Sequence, residues 1–261
     1  MEIRDLDREH EPLFFKCLED WSDDMAESGD RRAAWFAKMS RNGLRAKLAF
    51  SDQGVPVGMI QYLPVEHSVV EGRGLHFVNC IWVHGHKAGC GNFQGRGIGT
   101  MLLKSAEADV RSLGSGGLAT WGISMPFWMR ASWFRKHGYE KVDKDGMRVL
   151  LWRRFSDDAL PPKWIRPRKT PGRTDGRVTV TSFNSGWCAA QNIVHERAKR
   201  ASSLFGDKVR FEHIDTLDRA TFLEWGISDA LFIDGKEVRT GPPPSFDKIK
   251  GSIERRVRKL R

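Results

Sequence analysis

Three groups of residues in this chain have types and spacings that could do chemistry. The first is the run Gln94-Gly95-Arg96-Gly97-Ile98-Gly99-Thr100. Glycines at 95, 97 and 99 let a backbone approach a ligand closely and leave successive N–H groups unblocked. A helix beginning there adds unpaired donors and the positive end of its dipole, and Arg96 adds a charge; such a turn suits phosphate. The second group is His84 and His86, with Glu66, His67 and Glu71 some residues earlier. Any of these could move a proton as a general acid or base near neutral pH. The third, Cys80, His84, His86 and Cys90, has the spacing C-x3-H-x-H-x3-C, which could serve a tetrahedral zinc. The alternative reading is a buried cysteine and pocket-lining histidines, with no metal expected.

The elements that must position these groups are legible from periodicity. Leu75 to Val83 leaves few polar positions on either face and reads as a strand buried on both sides. The turn follows it, then a helix over 100–114, a break at Gly114-Ser115-Gly116-Gly117 and a second strand over Leu118 to Ile123, with Ser124 just beyond. The glycine spacing is not that of a dinucleotide fingerprint, and no Gly-Lys-Ser/Thr marks a nucleotide triphosphate loop. Upstream, Met1 to Leu6 reads as a strand, and Arg8 to Glu19 and Met25 to Met39 as helices. Leu44 to Ser51 and Val55 to Pro64 form a hairpin about Asp52-Gln53-Gly54. Downstream, Pro126 begins a helix running through Lys136, and strands cover Tyr139 to Val142 and Met147 to Trp152.

The 261 residues are enough for one large or two small domains, and carry a net charge of +10. Basic residues concentrate in Arg153 to Arg177 and in the last eight residues, but aromatic residues are not interleaved with them as a nucleic-acid face would require, so solvated surface is favoured over nucleic acid. No apolar run is long enough to span a bilayer, the amino terminus does not read as a signal peptide, and four scattered cysteines suit a cytoplasmic protein with reduced thiols. Past Phe155 the composition changes. Residues 156–177, with Pro161, Pro162, Pro167 and Pro171, read as a linker or strap anchored by Trp164 and Ile165.

Gln94, Gly97 and Gly99 after a central strand and before a helix form Gln-x-x-Gly-x-Gly, which resembles motif A of the GNAT acyl-CoA N-acyltransferases. The resemblance implies an α/β fold built on a mixed sheet over 1–155. It implies acetyl-CoA as cosubstrate, its diphosphate on the turn Gln94 to Thr100 and its pantetheine arm along the main chain of Ile81, Trp82 and Val83. The early helices would shape the acceptor pocket. Transfer would go to an amine by direct attack in a ternary complex. The run Trp133 to Tyr139 resembles the family's late helix, with one departure. Where many members carry a tyrosine that protonates the departing thiolate, this chain has Phe134. Cys80, Ser124, His84, His86 or a water would have to serve, or the thiolate leaves unassisted; the candidates for the base are His84, His86, Glu66, His67 and Glu71. Nothing in these residues specifies the acceptor.

From Val178 the order strand, helix, strand, helix, strand, helix, with Trp187-Cys188 at the first helix start and Asp234-Gly235-Lys236 after the third strand, resembles a small thioredoxin-like fold over 178–261. The site reads Cys188-Ala189-Ala190-Gln191, so no internal disulfide can form, and Asp229 stands where that fold keeps a cis-proline. The two halves together resemble acetyltransferases with a YoaP-like carboxy-terminal domain, here redox-inactive. The competing class is a single-cysteine redox or binding protein whose first half only binds CoA.

Overall fold

A computed structural model describes residues 1–125, 128–238 and 242–260. In chain order the elements are β1 (Glu2–Asp5), α1 (Glu11–Phe15), α2 (Asp23–Ala26), α3 (Arg31–Ser40), β2 (Arg45–Phe50), β3 (Pro56–Pro64), β4 (Val70–Glu71), β5 (His76–Val83), α4 (Ile98–Ser112), β6 (Gly117–Ile123), α5 (Ala131–Lys136), β7 (Glu140–Asp145) and β8 (Arg148–Arg154). There follow β9 (Lys163–Trp164), β10 (Val178–Asn184), α6 (Ala189–Ser203), β11 (Val209–Asp215), α7 (Arg219–Trp225), β12 (Ala230–Ile233), β13 (Lys236–Glu237) and α8 (Phe246–Val257). Among the described residues no helix is long and apolar enough to cross a membrane.

The chain divides into two compact units, one of Met1–Trp21 with Ala37–Ile165, the other of Ser22–Phe36 with Arg166–Arg261. The first contains a seven-stranded mixed sheet in the order β1-β2-β3-β5-β6-β8-β7, antiparallel except where β5 meets β6. Helix α4 buries Ile98, Leu102, Leu103, Ala106 and Val110 in a core shared with Ile60, Tyr62, Val78 and Phe134. Two polar anchors fix it. Tyr62 Oη and Arg45 Nη2 donate to Asp109 at 2.6 and 2.8 Å, and Tyr139 Oη with Arg153 reaches the buried Glu107.

β5 and β6 pair only from His76 to Val78 with Leu118 to Thr120, and beyond that point they part. The cause is a bulge. Gln61 stands opposite Cys80 and Tyr62 opposite Val78, which leaves Asn79 as an extra residue in β5 and turns the strand away from its neighbour. Trp121 Nε1 donates to the Asn79 carbonyl at 2.8 Å, a side chain completing the last pair before the fork opens.

In the second unit β11-β10-β12-β13 form a four-stranded sheet, parallel between β10 and β11 and antiparallel elsewhere. α6 and α8 bury Val194, Ala198, Ala201, Ile249 and Ile253 against Val178, Val180, Leu231 and Ile233. Ser22–Phe36 belongs to this unit. Arg197, almost buried, donates to Asp24 and to Glu27 at 2.8 Å, and Arg31 to Glu196 at 3.0 Å.

Several boundaries differ from those the sequence implied. The helix read over Met25 to Met39 is two helices, because Gly29 takes φ +61 between them. The one read over Arg8 to Glu19 stops at Phe15, with Cys17 and Leu18 left-handed. Helix α5 begins at Ala131 rather than at Pro126, which lies outside the described residues. Residues 156–177 are not one strap. Lys163–Trp164 pairs with Val70–Glu71 in the first unit, and Arg166 onward belongs to the second, where Arg168 N donates to Trp225 O.

Candidate active site

The fork between β5 and β6 and the turn after β5 form one continuous feature. His84 N donates to Val57 O, so strand alternation turns the peptide groups of Trp82 and Cys80 toward β3 and those of Ile81 and Val83 toward the gap. The Val83 carbonyl accepts from Gln94 Nε2 at 3.1 Å. Gly85 makes that bond possible, because a Cβ there would lie 2.3 Å from Gln94 Nε2. Gln94 thus ties the turn to the strand end, while the main chain of Ile81 lies between this contact and the Trp121 contact. Trp82 carries a different role from the one expected of its main chain, since alternation commits its peptide groups to Met59.

In the turn, Gly95 and Gly97 both take φ +78, and a Cβ on either would meet nothing within 4 Å. Gly97 is the N-cap of α4, so no capping side chain takes the first N–H groups of α4. Arg96 lies over the Phe93 ring at 4.7 Å and donates to Asn92 O. Thr100 Oγ1 is 2.9 Å from His137 Nε2; His137 Nδ1 is 2.8 Å from the Trp133 carbonyl and must donate to it, so the hydroxyl is the donor to Nε2. This arrangement offers clustered donors and a cation to an anionic group.

The expected acid and base residues do not gather here as a set. His84 is fully buried; its Nδ1 donates to Gly91 O at 2.7 Å and its Nε2 accepts from Trp21 Nε1 at 3.2 Å, so neither nitrogen faces a substrate. The same bonds deny both nitrogens to a cation. Among the described residues no three His, Cys, Asp or Glu are arranged to hold a metal, so Cys80, His84, His86 and Cys90 form no ligand set. Glu71 is exposed in β4, ahead of the paired start of β5, and Glu66 Oε1 accepts from Gly74 N there. The length of β5, about 3.3 Å per residue, separates both from the turn. Cys80 is buried within the sheet, and Ser124 is exposed just past β6. Phe134 is buried in the core beside Tyr139. The two tyrosines of the chain are both committed to carboxylates, and burial pushes each phenol well above its usual range.

Two residues that the sequence did not single out, Glu19 and Trp21, pack on these histidines. Glu19 Oε1 lies 3.4 Å from His86 Nε2, and Trp21 packs edge-on to both His84 and His86. Burial raises the Glu19 carboxyl above its ordinary range, opposed by the nearby His86 and His84. The one signal in the sequence was Gly89, whose absent side chain leaves room for the Trp21 ring.

In the second unit Cys188 is the N-cap of α6. The half-buried Asp229 accepts from Ser185 N and Oγ, Trp187 Nε1 and Ser228 Oγ, while desolvation pushes its carboxyl up. Among the described residues no peptide bond is cis, so Asp229 does not reproduce a cis-proline geometry.

The chain is similar to several solved acetyltransferase structures. A GNAT family acetyltransferase from Brucella melitensis, solved with acetyl-CoA, is similar at 18% identity and TM-score 0.44 over 62% of this chain and 94% of its own. The PaiA N-acetyltransferase of Thermoplasma acidophilum, solved with coenzyme A, is similar at 17% and 0.44 over 59% and 98%. A ribosomal-protein-alanine N-acetyltransferase from Brucella melitensis gives 18% and 0.44 over 59% and 100%. No curated protein matches the chain. The family model described as Acetyltransferase (GNAT) family matches residues 3–139, more than half the sequence, and the chain belongs to that family.

Proposed function

We propose that the first unit is an acetyl-CoA-dependent N-acetyltransferase that transfers acetyl to an amine by direct attack in a ternary complex. The observation that carries this reading is the turn Gln94 to Thr100, left-handed at Gly95 and Gly97 and with no side-chain cap on α4, at the mouth of a forked β5–β6 pair. The diphosphate of CoA takes the N–H groups between Gly95 and Thr100, with Arg96 supplying charge. The pantetheine amides pair with the main chain of Ile81 and Val83, an added strand in the gap. That path lays the thioester along β5 toward the bulge, where a neutral amine attacks its carbonyl and thiolate departs. Orientation supplies most of the rate gain, roughly 7–11 kcal/mol for an ideal fit. Both tyrosines being committed elsewhere, the thiolate takes its proton from the attacking nitrogen or from solvent.

For the second unit we propose a thioredoxin-like domain without dithiol chemistry. Its strand order, with a parallel β10–β11 pair and an antiparallel β12–β13 hairpin, supports the fold. A single Cys188 and an aspartate at position 229 speak against redox turnover.

Isothermal titration with acetyl-CoA tests the first reading. Gly97→Ala forces a Cβ into a left-handed position and into the open space above the turn, at a stability cost of roughly 1–2 kcal/mol. At least tenfold weaker binding by the folded variant is expected, and unchanged affinity would refute the assignment of the turn.

A further inference from the structure

One side chain bonded to the glycine turn has no part in the function proposed above. Gly97 is the N-cap of α4, so Thr100 is the third residue of its first turn, and the Thr100 hydroxyl stands 2.9 Å from His137 Nε2. His137 is the C-cap of α5 and is half-buried. Its Nδ1, 2.8 Å from the Trp133 carbonyl, keeps its proton in either charge state, because a carbonyl can only accept. Nε2 is therefore the atom that titrates. In the neutral ring it accepts from Thr100, and the hydroxyl hydrogen is turned to the imidazole and away from the open side of the turn. The Trp133 ring stacks on the imidazole, with centroids 4.1 Å apart and planes at 39°, and it reaches the turn as well, since a Cβ on Gly99 would lie 3.4 Å from it. Among the described residues no other titratable side chain is hydrogen-bonded to residues 97–100.

We propose that His137 takes up a proton as acetyl-CoA binds and so hands the Thr100 hydroxyl to the diphosphate. The inference rests on the acetyltransferase reading above and gives that site a positioning residue. The exchange balances. One proton enters from solvent onto Nε2, the new N–H donates to Thr100 Oγ1, and the hydroxyl hydrogen swings from the ring to a diphosphate oxygen; no other covalent bond forms or breaks. A diphosphate on the amides of the turn brings anionic oxygens beside Thr100, and an opposite charge within about 4–6 Å favours the imidazolium. The stacked Trp133 face favours it too. Cations oppose it. From β8, Arg153 Nη1 donates to the His137 carbonyl at 3.4 Å, but the same atom is paired with Glu107 of α4 at 3.0 Å. Arg135 and Lys136 of its own helix, Lys104 of α4 and Arg96 of the turn are exposed, so salt screens them.

The test is isothermal titration of the full chain with acetyl-CoA from about pH 6 to about pH 9, in buffers of low and of high ionisation heat, so that proton uptake is counted along with affinity. A group that gains its proton in the complex gives affinity that is full where free and bound protein are both protonated and is lost as pH rises through the bound-state titration. Wild type is expected to take up a fraction of a proton and to bind about tenfold more weakly at the alkaline end. The 3′-phosphate of the cosubstrate also titrates near neutral pH, but it contributes alike to every variant, so the proteins are compared with one another. His137→Gln keeps an amide within reach of Thr100 and cannot take a charge; it should lose the excess uptake and approach wild type in affinity only at the alkaline end. His137→Asn, which keeps a donor in the place of Nδ1, repeats the comparison should the first variant fail to fold. Thr100→Val should lose most of the excess and Thr100→Ser should keep it. Equal uptake in wild type and His137→Gln, a loss of affinity in His137→Gln that is the same at every pH, or full uptake in Thr100→Val would overturn the assignment. Acetyl-CoA binding without the excess uptake removes only the role of His137, whereas no binding by wild type at any pH removes the acetyltransferase reading and this one with it.

Discussion

At the residue scale the fork depends on glycines that make room for one another's neighbours. Gly85 is the sharpest case. Its absent Cβ is what allows the Gln94 amide to cross the strand end and reach the Val83 carbonyl. Gly85→Ala places a methyl on that amide, so Gln94 must leave. The variant is expected to fold and to bind acetyl-CoA several-fold more weakly, although it replaces none of the residues proposed to hold the cosubstrate; titration of variant and wild type side by side checks this. The turn and the helix after it were legible in the sequence, because three alternate glycines after an apolar run mark a tight turn of the backbone. The surroundings of the acid and base candidates were not. His84 and Glu71 were drawn forward by residue type alone, and the structure engages both His84 nitrogens with Gly91 and Trp21 and leaves Glu71 in an exposed two-residue strand. Glu19 lies 67 positions from His86 and gains its raised carboxyl only from burial, which spacing cannot show.

At the scale of elements the divergence of β5 and β6 is the feature from which the site follows. It is produced by one extra residue, Asn79, and is trimmed by the Trp121 indole on the Asn79 carbonyl. Trp121→Phe keeps an aromatic ring, a smaller one, but removes that donor. The expected cost is about 1 kcal/mol of stability, the net worth of one hydrogen bond, with faster amide exchange from Asn79 to Ile81; denaturant melts and hydrogen exchange measure both. The run Leu75 to Val83 announces a strand buried on both faces, yet no residue in it announces a bulge. A bulge is a disagreement between two strands about register, and becomes visible only when β3 is laid beside β5. The split of the Met25 to Met39 region has a simpler cause that the sequence did display, Gly29, whose left-handed backbone ends one helix and admits the next.

At the scale of the whole molecule, the chain departs from a simple succession of domains. Ser22–Phe36 lies between β1 and β2 in sequence but is part of the unit formed by Arg166–Arg261. The side chain responsible is Arg197, 7% exposed, which binds Asp24 and Glu27 and also reaches the Pro244 carbonyl. Arg197→Ala is expected to cost about 2–3 kcal/mol, below the figure for fully buried pairs because both carboxylates retain solvent contact. The Arg197 hydrogen bond leads the effects holding the Glu27 carboxyl below its ordinary range. A depressed folded-state pKa gives stability that is present above the unfolded value of 4.5 and is lost as pH falls through the folded one. The difference between variant and wild type should therefore shrink below about pH 4, which thermal melts across pH will show. The ownership of residues 22–36 was hidden in the sequence, since an arginine late in the chain and two acids early in it carry no mark of belonging together. The most direct measurement of the central claim is a crystal structure of the full chain with acetyl-CoA. The account predicts diphosphate oxygens on the amides from Gly95 to Thr100 and the pantetheine arm against the main chain of Ile81 and Val83. A nucleotide bound away from that turn, or a fork left without the arm while acetyl-CoA is bound elsewhere, would contradict it.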